Sequence, residues 1–298
     1  MTEYRQKPLP VSAGPLLRAA GRAAWRALDP RAAARLRAER THSATLSAPL
    51  PPGVIAVVGP DRGTGRSTVV ALLALALARH QGSRVLAVET GHGGGLHRRL
   101  ATRPGGSTTA VLAALGVRAG GAGVRPGAVG RRWLREQLTL GEGPMLLAAD
   151  PAGTDRPLTD VEYAPATTAL ARWFPTRVVD TPPLTSDPVV PAVLTRADRV
   201  VIVLPDGPGH AERSARCRAW IAPLLPRPVE EVAVDVRVRR DGDTVPGRRP
   251  AASVGDGALV LPDDPALRGG GVLRWPLLAA DTHYMILSLA CRLVKEID

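Results

Sequence analysis

Residues 53–68 read GVIAVVGPDRGTGRST. Val54–Val58 is an apolar run of β-branched residues, the pattern of a buried strand. Gly59–Gly65 is a glycine-rich turn, and Ser67-Thr68 opens an apolar helix over Val69–Ala78. Strand, glycine loop and helix in that order build a cradle for phosphate, because glycine lets backbone N–H groups turn inward and the helix start adds partial positive charge. The standard loop is G-x-x-x-x-G-K-[ST]. Here Pro60 fills the first glycine slot and Arg66 stands where lysine belongs. A guanidinium is a broad planar fork and an ammonium a compact point charge, so the exchange alters the loop's chemistry.

Outward from this stretch, short apolar runs alternate with helical ones. Strands are expected at Arg84–Glu89, Pro144–Ala149, Arg177–Asp180, Arg199–Leu204, Glu231–Val238 and Ala258–Leu261. Helices are expected at Ser107–Leu115, Ala128–Leu140, Thr159–Phe174, Pro188–Arg196, His210–Ile221 and Pro276–Glu296. The alternation implies an α/β fold, three layers doubly wound around a mostly parallel sheet. Residues 51–298 form this domain. Residues 1–50 form a basic helical arm, with helices over Leu16–Leu28 and from Pro30 to Arg40 and a linker over Thr41–Pro52.

The chain has 298 residues and a formal net charge of +12. The arm holds nine basic residues against three acidic ones, half of that excess. Such a stretch suits an anionic membrane or an acidic assembly, and equally a solvated helical face. The cluster Arg237, Arg239, Arg240, Arg248 and Arg249 reads as a solvated rim before a DNA-contacting one. Only Lys7 and Lys295 are lysine, so Arg66 follows a general preference for arginine. Cys217 and Cys291 supply neither a disulfide framework nor metal spacing, and with no apolar run long enough to span a bilayer the expectation is cytoplasmic, with peripheral membrane contact. His92 and His97 lack companion ligands and read as loop residues. Trp133, Trp173, Trp220 and Trp275 are scattered as core or interface residues are.

A second element belongs with the loop. Val178-Val179-Asp180-Thr181-Pro182-Pro183 is an apolar strand delivering a carboxylate at its end, placed to hold Mg²⁺ together with the Ser67 hydroxyl. The order GPDRGTGRST, VLAVET, VVDTPP, ADRVVIVLP and LPDDPAL resembles the MinD/ParA group of deviant Walker A ATPases of the SIMIBI-like P-loop class. It is most similar to the MinD-like proteins of actinobacterial type VII secretion systems. The resemblance covers about Pro51 to the end. It implies ATP and Mg²⁺ as ligands, Gly63, Thr64, Gly65, Arg66, Ser67 and Thr68 around the phosphates, Ser67 and Asp180 at the metal, and a homodimer closed over nucleotide. The departures are specific. The family's signature lysine falls on Asp61, its phosphate lysine on Arg66, and the later aspartate of its D-x-D on Gly91. The asparagine beside the adenine falls on Asp235. The resemblance therefore implies a nucleotide-dependent switch, or a degenerate adaptor, that positions a larger assembly with weak or absent hydrolysis. A non-enzymatic scaffold and a ParA-like non-specific DNA binder are the alternatives. Tyrosine-kinase activity is not expected, since only Tyr284 lies in the last helix.

Overall fold

The computed structural model describes residues 30–91, 95–100, 108–117, 130–140, 143–148, 156–184, 187–239 and 258–295. The expected Leu16–Leu28 helix, most of the 116–127 loop, the 241–257 loop, His92, Arg240, Arg248 and Arg249 lie outside these residues. The chain divides into two compact units between Thr41 and His42.

In chain order the elements are α1 (Pro30–Ser47), β1 (Gly53–Val58), α2 (Arg66–Gln81), β2 (Val85–Glu89), α3 (Gly95–Leu100), α4 (Thr108–Ala114), α5 (Arg131–Gln137), β3 (Thr139–Leu140) and β4 (Met145–Leu147). Then follow α6 (Asp160–Leu170), β5 (Thr176–Asp180), α7 (Val189–Leu194), β6 (Arg199–Pro205), α8 (His210–Ile221), α9 (Val229–Val232), β7 (Ala233–Val238), β8 (Leu259–Leu261), α10 (Pro265–Arg268) and α11 (Ala280–Lys295). One eight-stranded sheet runs in the order β3-β4-β2-β5-β1-β6-β7-β8. Every pairing is parallel except that of edge strand β3 with β4.

Each central strand is buried on both faces, and alternate residues divide between two cores. Ile55, Val57, Val178, Val201 and Val236 face α2 and α11. Val54, Ala56, Val58, Val179, Val200 and Ile202 face α6, α7 and α8. Continuous apolar strands of this kind need helices on both sides, which is the expected three-layer arrangement. Helix α2 is buried without a break from Val69 to Ala78. Its all-apolar sequence reflects this central position.

Four local expectations are corrected. The linker read at Thr41–Pro52 is helix as far as Ser47, and Leu46 enters the core because it is the apolar residue at the packed turn. Gln81 fastens the following bend by donating to the Leu46 and Ala48 carbonyls at 2.6 and 2.7 Å. The helix expected through Leu140 stops at Gln137, and Thr139–Leu140 pairs with β4 instead. The strand expected from Glu231 begins at Ala233, after the short turn α9. The last helix begins at Ala280 rather than Pro276, because Trp275–Leu277 winds as a separate tight turn around its proline.

Candidate functional site

The loop after β1 lies where β1 is flanked by β5 and β6, at the carboxyl ends of all three. Ligands of open α/β sheets bind outside those ends. Gly63 and Gly65 have φ of 76° and 97°, a left-handed backbone that side chains resist. Gly59 is constrained differently: a Cβ there would come within 2.7 Å of the Val203 carbonyl oxygen. The chain thus bends tightly over β6 and enters α2 at Arg66. Thr64 is buried and donates to the Asp61 carbonyl at 3.3 Å, closing the turn.

Ser67, at the second position of α2, donates to Asp180 Oδ2 at 2.5 Å. The Asp180 carboxylate is 5% exposed, and its Oδ1 has no hydrogen-bond partner. Burial pushes the Asp180 carboxyl up to about 6, against the opposing effects of the Ser67 hydroxyl and the Arg66 charge. Glu89 lies beside it in register, at the end of β2. Burial first, then the Asp180 charge, raises Glu89 to about 7, while Leu96 N–H donates to its Oε1 at 2.9 Å. Two buried carboxyls with an orphaned oxygen and an adjacent hydroxyl form a hard oxygen donor set that fits Mg²⁺. Such perturbed groups in a cleft mark a candidate site.

The Arg66 guanidinium is the unexpected feature. It is 9% exposed and folds back so that Nη1 donates to the Gly59 carbonyl at 2.8 Å. Its Nε is buried without a partner. Burial lowers its pKa, with Asp180 and Asp61 opposing. The side chain therefore lies within the loop that would receive phosphate, holding one unmet donor there.

Gly63, Thr64, Gly65, Arg66, Ser67, Thr68 and Asp180 are brought together. Asp235 is not. Its side chain lies on the opposite face of β7 from the buried Val236, accepting from Ser214 and from Arg218 Nη2, the latter at 2.6 Å. The cavity beside the loop is lined instead by Val238 and Arg239, three and four residues further on. That cavity has a volume of about 340 Å³ and also borders Gly63, Gly65, Thr68, Arg99 and the turn after β8. Asp61 is exposed and borders a different cavity of about 400 Å³, with Leu184, Arg213, Cys217 and Trp220. Gly91 packs beside Pro182, where a Cβ would meet ordinary contacts of 3.5–3.6 Å. A Cβ there displaces nothing.

Sequence reading missed α3, whose start packs over Ser67. A Cβ on Gly95 would lie 2.7 Å from Ser67 Oγ. It also read Arg237 as a rim residue, whereas Arg237 is buried near Asp206, and Arg239 donates to the same carboxylate at 3.0 and 3.1 Å. An acid so far upstream of both arginines leaves no local signal.

The parallel sheet, its two helical layers and the loop after β1 match the fold of the P-loop NTPases. Among solved structures, the chain resembles MinD/ParA-family ATPases at low identity. A ParA family ATPase from Chlorobium tepidum shares 16% identity at a TM-score of 0.53, over 83% of this chain and 96% of that one. MinD in the MinC:MinD complex of Aquifex aeolicus gives 17% and 0.55, over 82% and 96%. MinD of Pyrococcus horikoshii, solved with Mg-ADP, gives 17% and 0.51, over 80% and 94%. No protein-family model and no curated protein sequence matches the chain. No helix among the described residues is long and apolar enough to cross a membrane.

Proposed function

We propose that the protein is a MinD/ParA-like nucleotide-binding adaptor that holds a magnesium nucleotide weakly and hydrolyses it poorly. The observation carrying this reading is the Arg66 side chain folded onto the Gly59 carbonyl within the loop, beside an intact Ser67–Asp180 pair. Backbone amides of Gly63–Thr68 would face the phosphates, and Ser67 with Asp180 would hold the metal, whose contribution is charge neutralisation at the phosphates. For phosphate to enter, Arg66 must exchange its carbonyl for a phosphate oxygen, a charge-assisted contact that favours the ligand only after the internal bond is given up. Asp61 presents negative charge where the resembled family has lysine, and Gly91 offers no carboxylate to orient water. Removing one positioned electrostatic group costs on the order of 10²–10³ in rate, and three are altered here.

Within this reading the basic residues before position 41 contact an anionic membrane or acidic assembly, the larger structure being what the adaptor positions, and two copies pair across their loops. The secretion-system branch belongs to the same proposal. A second reading, a scaffold that binds no nucleotide, is favoured by one specific fact: Arg66 satisfies the loop from within. Thermal unfolding with and without Mg-ATP separates the two. Ligand at a hundred times its Kd stabilises by about 2.7 kcal/mol, and a scaffold gains nothing. Single-turnover hydrolysis of the chain beside an Arg66→Lys, Asp61→Lys, Gly91→Asp variant tests the catalytic part. Equal and robust turnover in both would discard it.

A further inference from the structure

Among the described residues four large apolar side chains stand exposed: Leu36, Val161, Val272 and Leu277. Two of the four lie close together on the stretch between α10 and α11, where Val272 is 41% exposed and Leu277 67%. The stretch begins clear of the body of the domain, since a Cβ at Gly269, Gly270 or Gly271 would have nothing within 4 Å. It is nevertheless held in shape. Leu273 and Leu278 are buried in the core, and Leu277 N–H donates to the Arg274 carbonyl at 3.0 Å, closing the tight turn over Trp275–Leu277. The His283 ring stacks on Trp275 with centroids 4.6 Å apart, and its Nε2 donates to the Trp275 carbonyl at 2.8 Å. The charge is of one sign. Residues 265–280 contain Arg268 and Arg274 and no acid. Arg268 is matched to Asp263, whereas the exposed Arg274 has no acidic partner among the described residues. The Arg79 guanidinium lies 5.5 Å from the centre of the Trp275 ring, likewise without an acid among those residues. Asp281, in the first turn of α11, is the next exposed acid along the chain.

We propose that residues 272–277 are a docking surface for an anionic lipid bilayer. Val272 and Leu277 enter the interface, Trp275 takes the headgroup level that suits its amphipathic ring, and Arg79 and Arg274 meet lipid phosphates. A tryptophan, an exposed aliphatic pair and unmatched arginines gathered at one turn make an interfacial anchor, and the unmatched positive charge selects an anionic surface. A single anchor of this size binds only weakly and reversibly. The contact uses no residue of the loop at 59–68 and none before position 41, so it depends neither on nucleotide nor on the basic arm.

The test is co-sedimentation of the full chain, without nucleotide, with vesicles of phosphatidylcholine alone and of phosphatidylcholine mixed with phosphatidylglycerol. Binding to the anionic vesicles is expected, and it should fall as salt is added. Leu277→Ser combined with Val272→Ser should weaken it at least about tenfold, the factor that burial of a leucine side chain supplies. Arg274→Gln should weaken it about fivefold on anionic vesicles and leave neutral ones unchanged. If the serine variant melts early in urea, Arg274→Gln and the comparison of the two lipid mixtures still decide. Undiminished binding by a folded serine variant overturns the inference and gives the membrane contact to the basic residues before position 41. Equal binding to both kinds of vesicle overturns it, and so does binding to neither. A chain that ignores vesicles but forms a dimer dissolved by Leu277→Ser gives the turn to a second copy, which also overturns it. The nucleotide reading stands or falls separately, on the Mg-ATP unfolding shift.

Discussion

Two buried aspartates, Asp180 and Asp264, are 5% and 3% exposed and end up with opposite roles. Asp264 follows β8 and accepts from Ala266 N–H, Ala279 N–H and the Thr282 hydroxyl, at 2.9, 2.7 and 2.7 Å. It starts one helix and ties the entry of α11 to it. Asp180 accepts from Ser67 alone and keeps an orphaned oxygen beside a second buried carboxyl. Burial is therefore a poor guide to role. A buried charge with its hydrogen bonds complete is structural, and one left incomplete is held for something else.

The most severe way to break this contrast is Asp264→Ala. It strands two N–H donors and the fully buried Thr282 hydroxyl, and should cost about 3–5 kcal/mol in urea unfolding. Asp180→Asn removes a charge that the fold tolerates without full compensation, and should leave stability at neutral pH unchanged or higher. A comparable loss in both would erase the distinction. Next comes Gly59→Ala. The new methyl would meet the backbone oxygen of Val203 at 2.7 Å, an atom that cannot swing aside. A cost of about 1–3 kcal/mol is expected, read as a lower unfolding midpoint at constant slope.

The acid pair gives a smaller, pH-dependent effect. Asp180 at about 6 and Glu89 at about 7 both lie above their unfolded values. The folded chain thus binds more protons than the unfolded one between roughly pH 4 and 7, and their contribution to stability falls as pH rises through that window. Each tenfold change in proton affinity is worth about 1.4 kcal/mol. Asp180→Asn or Glu89→Gln should flatten the slope measured across the window. Glu162 runs the other way: bonds from Arg156 and Thr159 hold it down at about 2, so its contribution is present above its unfolded pKa and lost as acid approaches pH 2.

Much of this was readable along the chain, because the sheet's strands are local apolar runs and the loop's glycines, Gly59, Gly63 and Gly65, lie close together in sequence. Val54–Val58, Arg199–Leu204 and Gly63–Thr68 carry their own signals. What escaped was set by contacts distant in sequence. Thr139–Leu140 becomes a strand because β4 offers it an edge, and Arg237 is buried because Asp206 is opposite. Asp235 was expected beside a base because the adenine-contacting asparagine of the resembled family falls on it. A two-residue period placed it on the α8 face instead, where Ser214 and Arg218 claim it. Arg99 gave no sign within its basic stretch. Its contact with the Leu267 carbonyl is set by the packing of α3 against α10.

The smallest expected effect is the most discriminating for the loop. Arg66 makes one strong internal bond, to Gly59, and leaves Nε unmatched. Replacing a buried, half-satisfied cation by an apolar chain of similar length removes a desolvation cost along with that bond. Arg66→Met should therefore shift unfolding free energy by no more than about 1 kcal/mol, in either direction. A loss above about 3 kcal/mol would make Arg66 a structural member like Asp264, and the loop would then hold its own arginine as part of the fold. A near-zero change, together with a smaller Mg-ATP stabilisation than the parent shows, assigns the guanidinium to the ligand. The loop and the Asp264 turn would then differ by the single property that separates Asp180 from Asp264: whether the buried polar group is already fully bonded.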